Sequence, residues 1–432
     1  MRIARLPRTR CAPAVLVLSL TLISGAWAQE PGTPKARSPR PPVGHPVLPG
    51  IWRLDGYDPT LPTGDLEPLR GIVGKATTVG LGESVHTSGG FYEMKDRTIR
   101  FLVQSLGFRA VAIESPWIDA DRVAAYVQTC EGTPEDALKG LFGVWQSAEV
   151  RDLVQWMCEW NRSHRKPQDK LTFFGFDIQQ PQYDQPALTA FLVRTGVPAD
   201  SLWITALASC DVQGVLNVSD ASYAQCAEGL QQIDAYFQQN AAAIVRQTSQ
   251  KDFEIAKLNL TGLRAWEDES YYYTRSTALS LNARDQAMAY AFGVLRGLRV
   301  PKAKTVVWAH NFHLSKGEIG GAQPMGSYLA QSLGTSYVNL ALVAHEMDID
   351  WLRVGCGAAD PPLPGSVEEL LHVLGEPTLL VDLAFPGTSD PYIPPGRRGL
   401  GYYVVDPRQL YNGVLYLEVS PKMTPLAWPS CR

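Results

Sequence analysis

The chain has 432 residues, 45% of them hydrophobic and 19% charged, so it can bury a large core and is neither disordered nor fibrous in composition. Its formal charge is −4, falling to −8 once residues 1–28 are set aside, because those residues carry four arginines and no acidic side chain. A mildly acidic chain of this kind is a poor partner for nucleic acid, which excludes the binding classes that depend on a basic surface.

In chain order, Arg2, Arg5, Arg8 and Arg10 precede the apolar run 14–23, and Ala26-Trp27-Ala28 supplies a small-x-small cleavage pattern. This predicts a signal peptide over residues 1–28, cleaved near Ala28, and a periplasmic or secreted product. The apolar run is shorter than the ~20 residues of a spanning helix, and no later stretch approaches one, so no membrane span is expected. Residues 29–60 read as a Pro-rich linker in which His45 is a bystander, and residues 61–432 as one catalytic domain. Six cysteines remain, at 130, 158, 210, 226, 356 and 431. In an oxidising compartment they are expected to pair with their nearest neighbours: Cys130–Cys158, Cys210–Cys226 and Cys356–Cys431.

A short helix is expected around Glu67–Ile72, then a buried strand from Thr77 to Leu81. That strand runs directly into Glu83 and, three residues later, His86. The same event recurs: the strand at 109–113 stops at Glu114, the strand at 171–176 at Asp177, and the strand at 304–309 at His310, with His313 just beyond. In an open α/β sheet the carboxyl ends of parallel strands share one edge, so four ionisable strand ends predict one site. Helical periodicity marks 91–102, closed by Gly107, and then 119–129, 134–142 and 148–161. From about 185 to 300 the pattern is of amphipathic helices (233–245, 252–266 and 283–298), read as an insertion or cap. Further strands are expected at 337–344, 378–384 and 415–419. The fold class is therefore α/β, a mostly parallel central sheet with flanking helices and a helical insertion.

No phosphate-binding glycine motif is present, so no nucleotide cofactor is expected. Ser84 begins a nucleophile-elbow pattern, but His86 stands where the second glycine is needed, which argues against a serine nucleophile. What remains is a set of imidazoles and carboxylates without a protein nucleophile. Such a set can activate water by general base catalysis, with a carboxylate fixing the tautomer of the base. The same residue types also suit zinc or manganese, so a metal-dependent hydrolase ligated by Glu83, His86, Glu114, His310 and His313 is an alternative, as is a non-catalytic periplasmic binding or envelope protein. His164, His345 and His372 lie outside this set and are expected to be bystanders. Arg284-Asp285 reads either as a helix-borne salt bridge or as a substrate contact, Asp177 as a possible helix cap, and Trp266 and Tyr271-Tyr272-Tyr273 as packing residues of the insertion.

Gly82-Glu83-Ser84-Val85-His86, Phe91-Tyr92, the run 106–114 ending in Glu114, Gly175-Phe176-Asp177, Asn282-Ala283-Arg284-Asp285 through Ala289, and Val307-Trp308-Ala309-His310-Asn311-Phe312-His313 together resemble the erythromycin esterase family. The resemblance implies a hydrolase that, in its best-known members, opens the lactone of macrolide antibiotics by histidine-activated water without a metal. Carried over by position, His86 looks like the general base, Glu83 its carboxylate, and Glu114 and His310 further catalytic groups. His313, Lys95, Arg284 and Asp177 fall at substrate-binding positions, and neither a cofactor nor a metal is assigned. The family often continues the base motif as H-G-[ST]-H-E-F, where this chain reads His86-Thr87-Ser88-Gly89-Gly90-Phe91, and Lys95 stands where the family usually has arginine. The partner implied is a small-molecule ester or lactone.

Overall fold

The structure, a computed structural model, describes residues 44–213, 218–351, 355–385 and 392–426. The leader, the Ala28 cleavage point and Cys431 therefore lie outside the described residues.

A ten-stranded sheet organises the chain. Its strands are β1 (His45–Leu48), β2 (Ile51–Arg53), β3 (Thr78–Leu81), β4 (Phe108–Pro116), β5 (Thr172–Asp177), β6 (Lys304–Trp308), β7 (Tyr337–Trp351), β8 (Gly355–Ala358), β9 (Thr378–Asp382) and a last long strand, Gly413–Ser420. A separate hairpin, β10 (Arg398–Leu400) with β11 (Tyr403–Val405), precedes that last strand, which is β12. The order across the sheet is β1-β2-β9-β12-β7-β3-β6-β4-β5, with β8 on β7. The run from β12 to β5 is parallel, whereas β9 enters antiparallel to both β12 and β2. Residues 45–53 thus form a hairpin at the sheet edge, and the folded part begins inside the segment expected to be linker. Pro46 is admissible there because the strand is terminal and needs no second ladder partner.

The helices are α1 (Leu69–Val73), α2 (Gly89–Leu106), α3 (Ala120–Thr129), α4 (Pro134–Leu138), α5 (Ala148–Ser163), α6 (Pro181–Arg194), α7 (Leu202–Leu207), α8 (Asp220–Gln247), α9 (Gln250–Tyr272), α10 (Thr277–Arg299), α11 (Asn311–Leu314), α12 (Met325–Leu333), α13 (Val367–His372) and α14 (Pro407–Leu410). Gly107 closes α2 at φ 74°, a left-handed position that a side chain would oppose, and Ser147 caps α5 by accepting from the Val150 amide. One face of the sheet packs Phe101, Leu102, Val111, Phe173 and Trp308 with α2, α3 and α5. The other packs Phe174, Phe176, Phe292 and Leu295 with α10 and α12.

The helical insertion is α6 to α10, lying between β5 and β6 in the chain. It has a core of its own, including Leu188, Leu192, Leu230, Ile233, Phe237 and Leu263. Trp266 is buried against the sheet helices, and Tyr271 stacks on Tyr223 at 3.9 Å, so both pack the insertion. Disulfides Cys130–Cys158 and Cys210–Cys226 tie α3 to α5 and the end of α7 to α8. Cys356 is also disulfide-bonded, while the expected pair Cys356–Cys431 falls outside the described residues. Among the described residues no helix is long and apolar enough to cross a membrane.

Candidate active site

Strands β3, β6, β4 and β5 are consecutive neighbours, and their parallel register aligns Leu81 with Trp308, Trp308 with Ile113, and Pro116 with Asp177. Glu83, His310, Glu114 and Asp177 therefore emerge at one edge of the sheet. The turn after β3 is unusually tight: a Cβ on Gly82 would lie 1.9 Å from Asn311 Oδ1, so only glycine lets the Asn311 amide reach across to Leu342 on β7.

Glu83 is fully buried and spends both oxygens, one on His86 Nδ1 at 2.6 Å and one on Lys95 Nζ at 2.6 Å. Lys95 is itself fully buried, its ammonium 4.6 Å from the Trp308 ring centre. Expected at the substrate, it instead stands behind Glu83; burial pushes it down to about 8, opposed by the adjacent Glu83 charge. The His86 ring is 16% exposed and sits edge-on to Trp145 and His310, at 5.1 and 5.3 Å between ring centres. Thr87 follows at φ 68°, a left-handed conformation that a β-branched residue adopts only under constraint. The constraint is visible: the Thr87 amide donates to the Tyr92 hydroxyl at 2.8 Å, and its carbonyl accepts from the Met423 amide at 2.8 Å.

The Gly89-Gly90 pair is explained by the same crossing chain. A Cβ on Gly89 would meet the Lys422 carbonyl at 2.8 Å, and one on Gly90 would meet Ser420 Oγ at 2.6 Å. The segment leaving β12 occupies the space that the second histidine and the glutamate of the longer family motif would need.

The second half of the site is a lattice of charge. Arg284, on α10, holds Asp177 at 2.5 Å and Glu114 at 3.1 Å, and Asp177 also accepts the Ile178 and Gln179 amides. Asp177 is fully buried and positions Arg284 rather than facing outward. The neighbour Asp285 does not pair with Arg284: it binds His313 Nδ1 at 2.7 Å and the Met325 amide at 2.7 Å. His313 Nε2 lies 3.3 Å from Glu114. Although burial opposes its charge, Asp285 and Glu114 raise His313 to about 10, so it is a cation at neutral pH. Burial acts against ionised Glu114 too, but His313, His86 and Arg284 hold its carboxyl well below the usual range.

His310 is the third case. It caps α11, its Nδ1 accepting from the Phe312 amide at 3.1 Å, and its Nε2 faces the Ser84 carbonyl at 2.8 Å. That assignment makes Nε2 the protonated nitrogen. Burial, then the neighbouring His86 and His313, depress it to about 3, so the ring is neutral. Its two nitrogens are committed to backbone groups. A metal reading fits poorly here, because Glu83 is paired to Lys95, both His310 nitrogens face backbone groups, and His313 spans Asp285 and Glu114.

Three contributors were not singled out from sequence. Trp145 donates to the Glu114 carbonyl at 2.6 Å and walls His86; Tyr403, on β11, lies 6.3 Å from His310 between ring centres; and Glu269, on α9, accepts from Gln179 and is pushed by burial to about 7. None follows a strand, so the pattern that exposed the others is silent for them.

An α/β sheet with a carboxylate-held imidazole and a buried charge lattice at its carboxyl edge is the frame of a hydrolase. The erythromycin esterase family profile matches residues 103–417, and the chain belongs to that family. Its substrate is accordingly a small molecule. The chain is 25% identical over 393 residues to YbfO of Bacillus subtilis (strain 168), whose name assigns it only to the hydrolases, covering 82% of this chain and 86% of that one. It is 24% identical over 371 residues to erythromycin esterase type II of Escherichia coli, covering 74% and 82%. Among solved structures, a histidine-to-asparagine mutant of erythromycin esterase EreC in its open conformation superposes with a TM-score of 0.68 at 19% identity, covering 85% of this chain and 96% of that one, which shows a shared fold.

Proposed function

We propose that this is an exported hydrolase that cleaves a carboxylic ester or lactone with water activated by His86. The observation that carries the reading is the 2.6 Å contact between Glu83 and His86 Nδ1. A carboxylate on Nδ1 fixes the tautomer in which Nε2 accepts the proton of an attacking water and stabilises the imidazolium that results. Lys95 pairs with Glu83 from behind, and Arg284 and His313 supply the positive charge that an oxyanion requires, with Glu114 orienting both. The first step adds water to the carbonyl carbon as the proton passes to His86. The second breaks the acyl–oxygen bond as the alkoxide leaving group recovers that proton.

A macrolide lactone is one candidate substrate, on the strength of family membership; the glycine-filled loop beside the base is this chain's own. Export is supported by the leader-like sequence and the disulfides. The test is a mass-spectrometric screen of esters and lactones for a product heavier by one water, roughly 18 Da, repeated with His86→Ala. Product from the wild type alone supports the proposal. Saturable binding without product in either protein supports a binding function instead, and equal product from both removes His86 from the role.

A further inference from the structure

Three residues outside the catalytic network meet on the far part of the sheet. His345 lies on β7 and Glu418 beside it on β12, since the parallel register aligns Leu417 with Ala344 and Val419 with Glu346. His372 is the last residue of α13, which packs on these strands. The two imidazoles stack, 3.8 Å apart and 7° from parallel, and His372 Nδ1 contacts Glu418 Oε1 at 2.8 Å. One nitrogen from each ring and one Glu418 oxygen lie within 4.8 Å of one another, the only such group found among the described residues.

The surroundings favour a cation over a simple hydrogen-bonded cluster. His345 Nδ1 is a buried polar atom with no hydrogen-bond partner among the described residues, 3.8 Å from Glu418 Oε1. An orphaned buried acceptor is costly, and here it points at a carboxylate and a second imidazole. The outer contacts also have the arrangement that metal ligands acquire. The far nitrogen of His345, Nε2, faces Glu369 at 3.7 Å, and the Tyr416 hydroxyl donates to the other oxygen of Glu418 at 2.5 Å. The Tyr416 hydrogen bond holds Glu418 by its non-ligating oxygen, and Glu369 stands beside the non-ligating nitrogen of His345. Glu418 and Glu369 bring two carboxylates to the histidines, and among the described residues no lysine or arginine is paired with either.

We propose that His345, His372 and Glu418 form a binding site for a divalent transition metal of the zinc class, separate from the catalytic centre. Two imidazoles and one carboxylate suit a borderline ion, whereas calcium and magnesium call for oxygen-only sets. The side chain of His372 is 47% exposed, so its ring can turn from the stack to complete the geometry, leaving a fourth position for water. The bound ion would join the end of α13 to β7 and β12. Through Glu368, whose carboxylate accepts the Gly401 amide, α13 also holds the hairpin that carries Tyr403 to the site edge.

The experiment titrates zinc alone into the chelator-stripped full chain, followed by calorimetry and thermal unfolding. One equivalent is expected to bind and to raise the melting temperature, with calcium and magnesium doing neither. His372→Ala, at a half-exposed position that should not disturb folding, and Glu418→Gln are each expected to weaken binding at least about 10-fold, and Tyr416→Phe by roughly 10–100-fold. His164→Ala should bind as the wild type does. The proposal is overturned if the wild type shows no saturable zinc site, if His372→Ala and Glu418→Gln bind unchanged, or if His86→Gln is the variant that loses the ion.

Discussion

The two halves of the candidate site place the same pair of groups in opposite surroundings. In one, Glu83 holds His86 Nδ1 at 2.6 Å, and in the other Asp285 holds His313 Nδ1 at 2.7 Å. The first carboxylate is neutralised by Lys95 and its imidazole is partly exposed; the second imidazole is enclosed between two carboxylates and held as a cation. His310, between them, has no carboxylate at hydrogen-bond distance from its ring and is held neutral. Environment, not residue type, therefore decides that His313 is held charged and His310 neutral.

Glu83→Gln should remove the acceptor that orients His86 and lower kcat by roughly 10²–10⁴-fold, read by steady-state hydrolysis with the fold checked by circular dichroism. Asp285→Asn should leave His313 facing Glu114 alone and the Met325 amide with a weaker acceptor. A loss of about 3–5 kcal/mol is expected by chemical denaturation, as for other broken buried ion pairs. Restored stability in Asp285→Asn combined with His313→Gln would sharpen the assignment to that pair.

The pH dependence separates the other two histidines. Because His313 is raised from 6.5 to about 10, its stabilisation is complete below pH 6.5 and is lost as pH rises toward 10. Because His310 is depressed to about 3, the unfolded chain binds a proton that the native chain refuses. Stability therefore falls as pH drops from 6.5 toward 3. His310→Asn should flatten the acid limb and His313→Gln the alkaline limb in melting temperature against pH. The smallest effect expected is on the loop after His86: Gly90→Ala should cost about 1–3 kcal/mol by forcing Ser420 aside, and leave the Glu83–His86 pair in place.

The strand ends were legible in the sequence because a buried parallel strand must be apolar until it leaves the sheet, so Glu83, Glu114, Asp177 and His310 stood out against their own strands. Orientation was not. Lys95 and Asp177 face inward because of which side of their element meets Glu83 or Arg284, and Arg284 and Asp285, adjacent in sequence, diverge to different partners. The β1–β2 hairpin was hidden by its prolines and short strands, and the antiparallel entry of β9 is a matter of topology rather than periodicity. His345 and His372, read as bystanders, are brought together by the β7–β12 register and the length of α13, none of which a linear pattern records.

The most direct measurement is a ¹⁵N-histidine titration of the folded protein by NMR, with resonances assigned through the single His→Gln variants. The account predicts that His313 remains doubly protonated at pH 8 while His310 remains neutral, with its proton on Nε2, at pH 5. If His313 instead releases its proton near 6.5, the site holds two equivalent carboxylate-bound imidazoles, and the assignment of the base to His86 no longer stands.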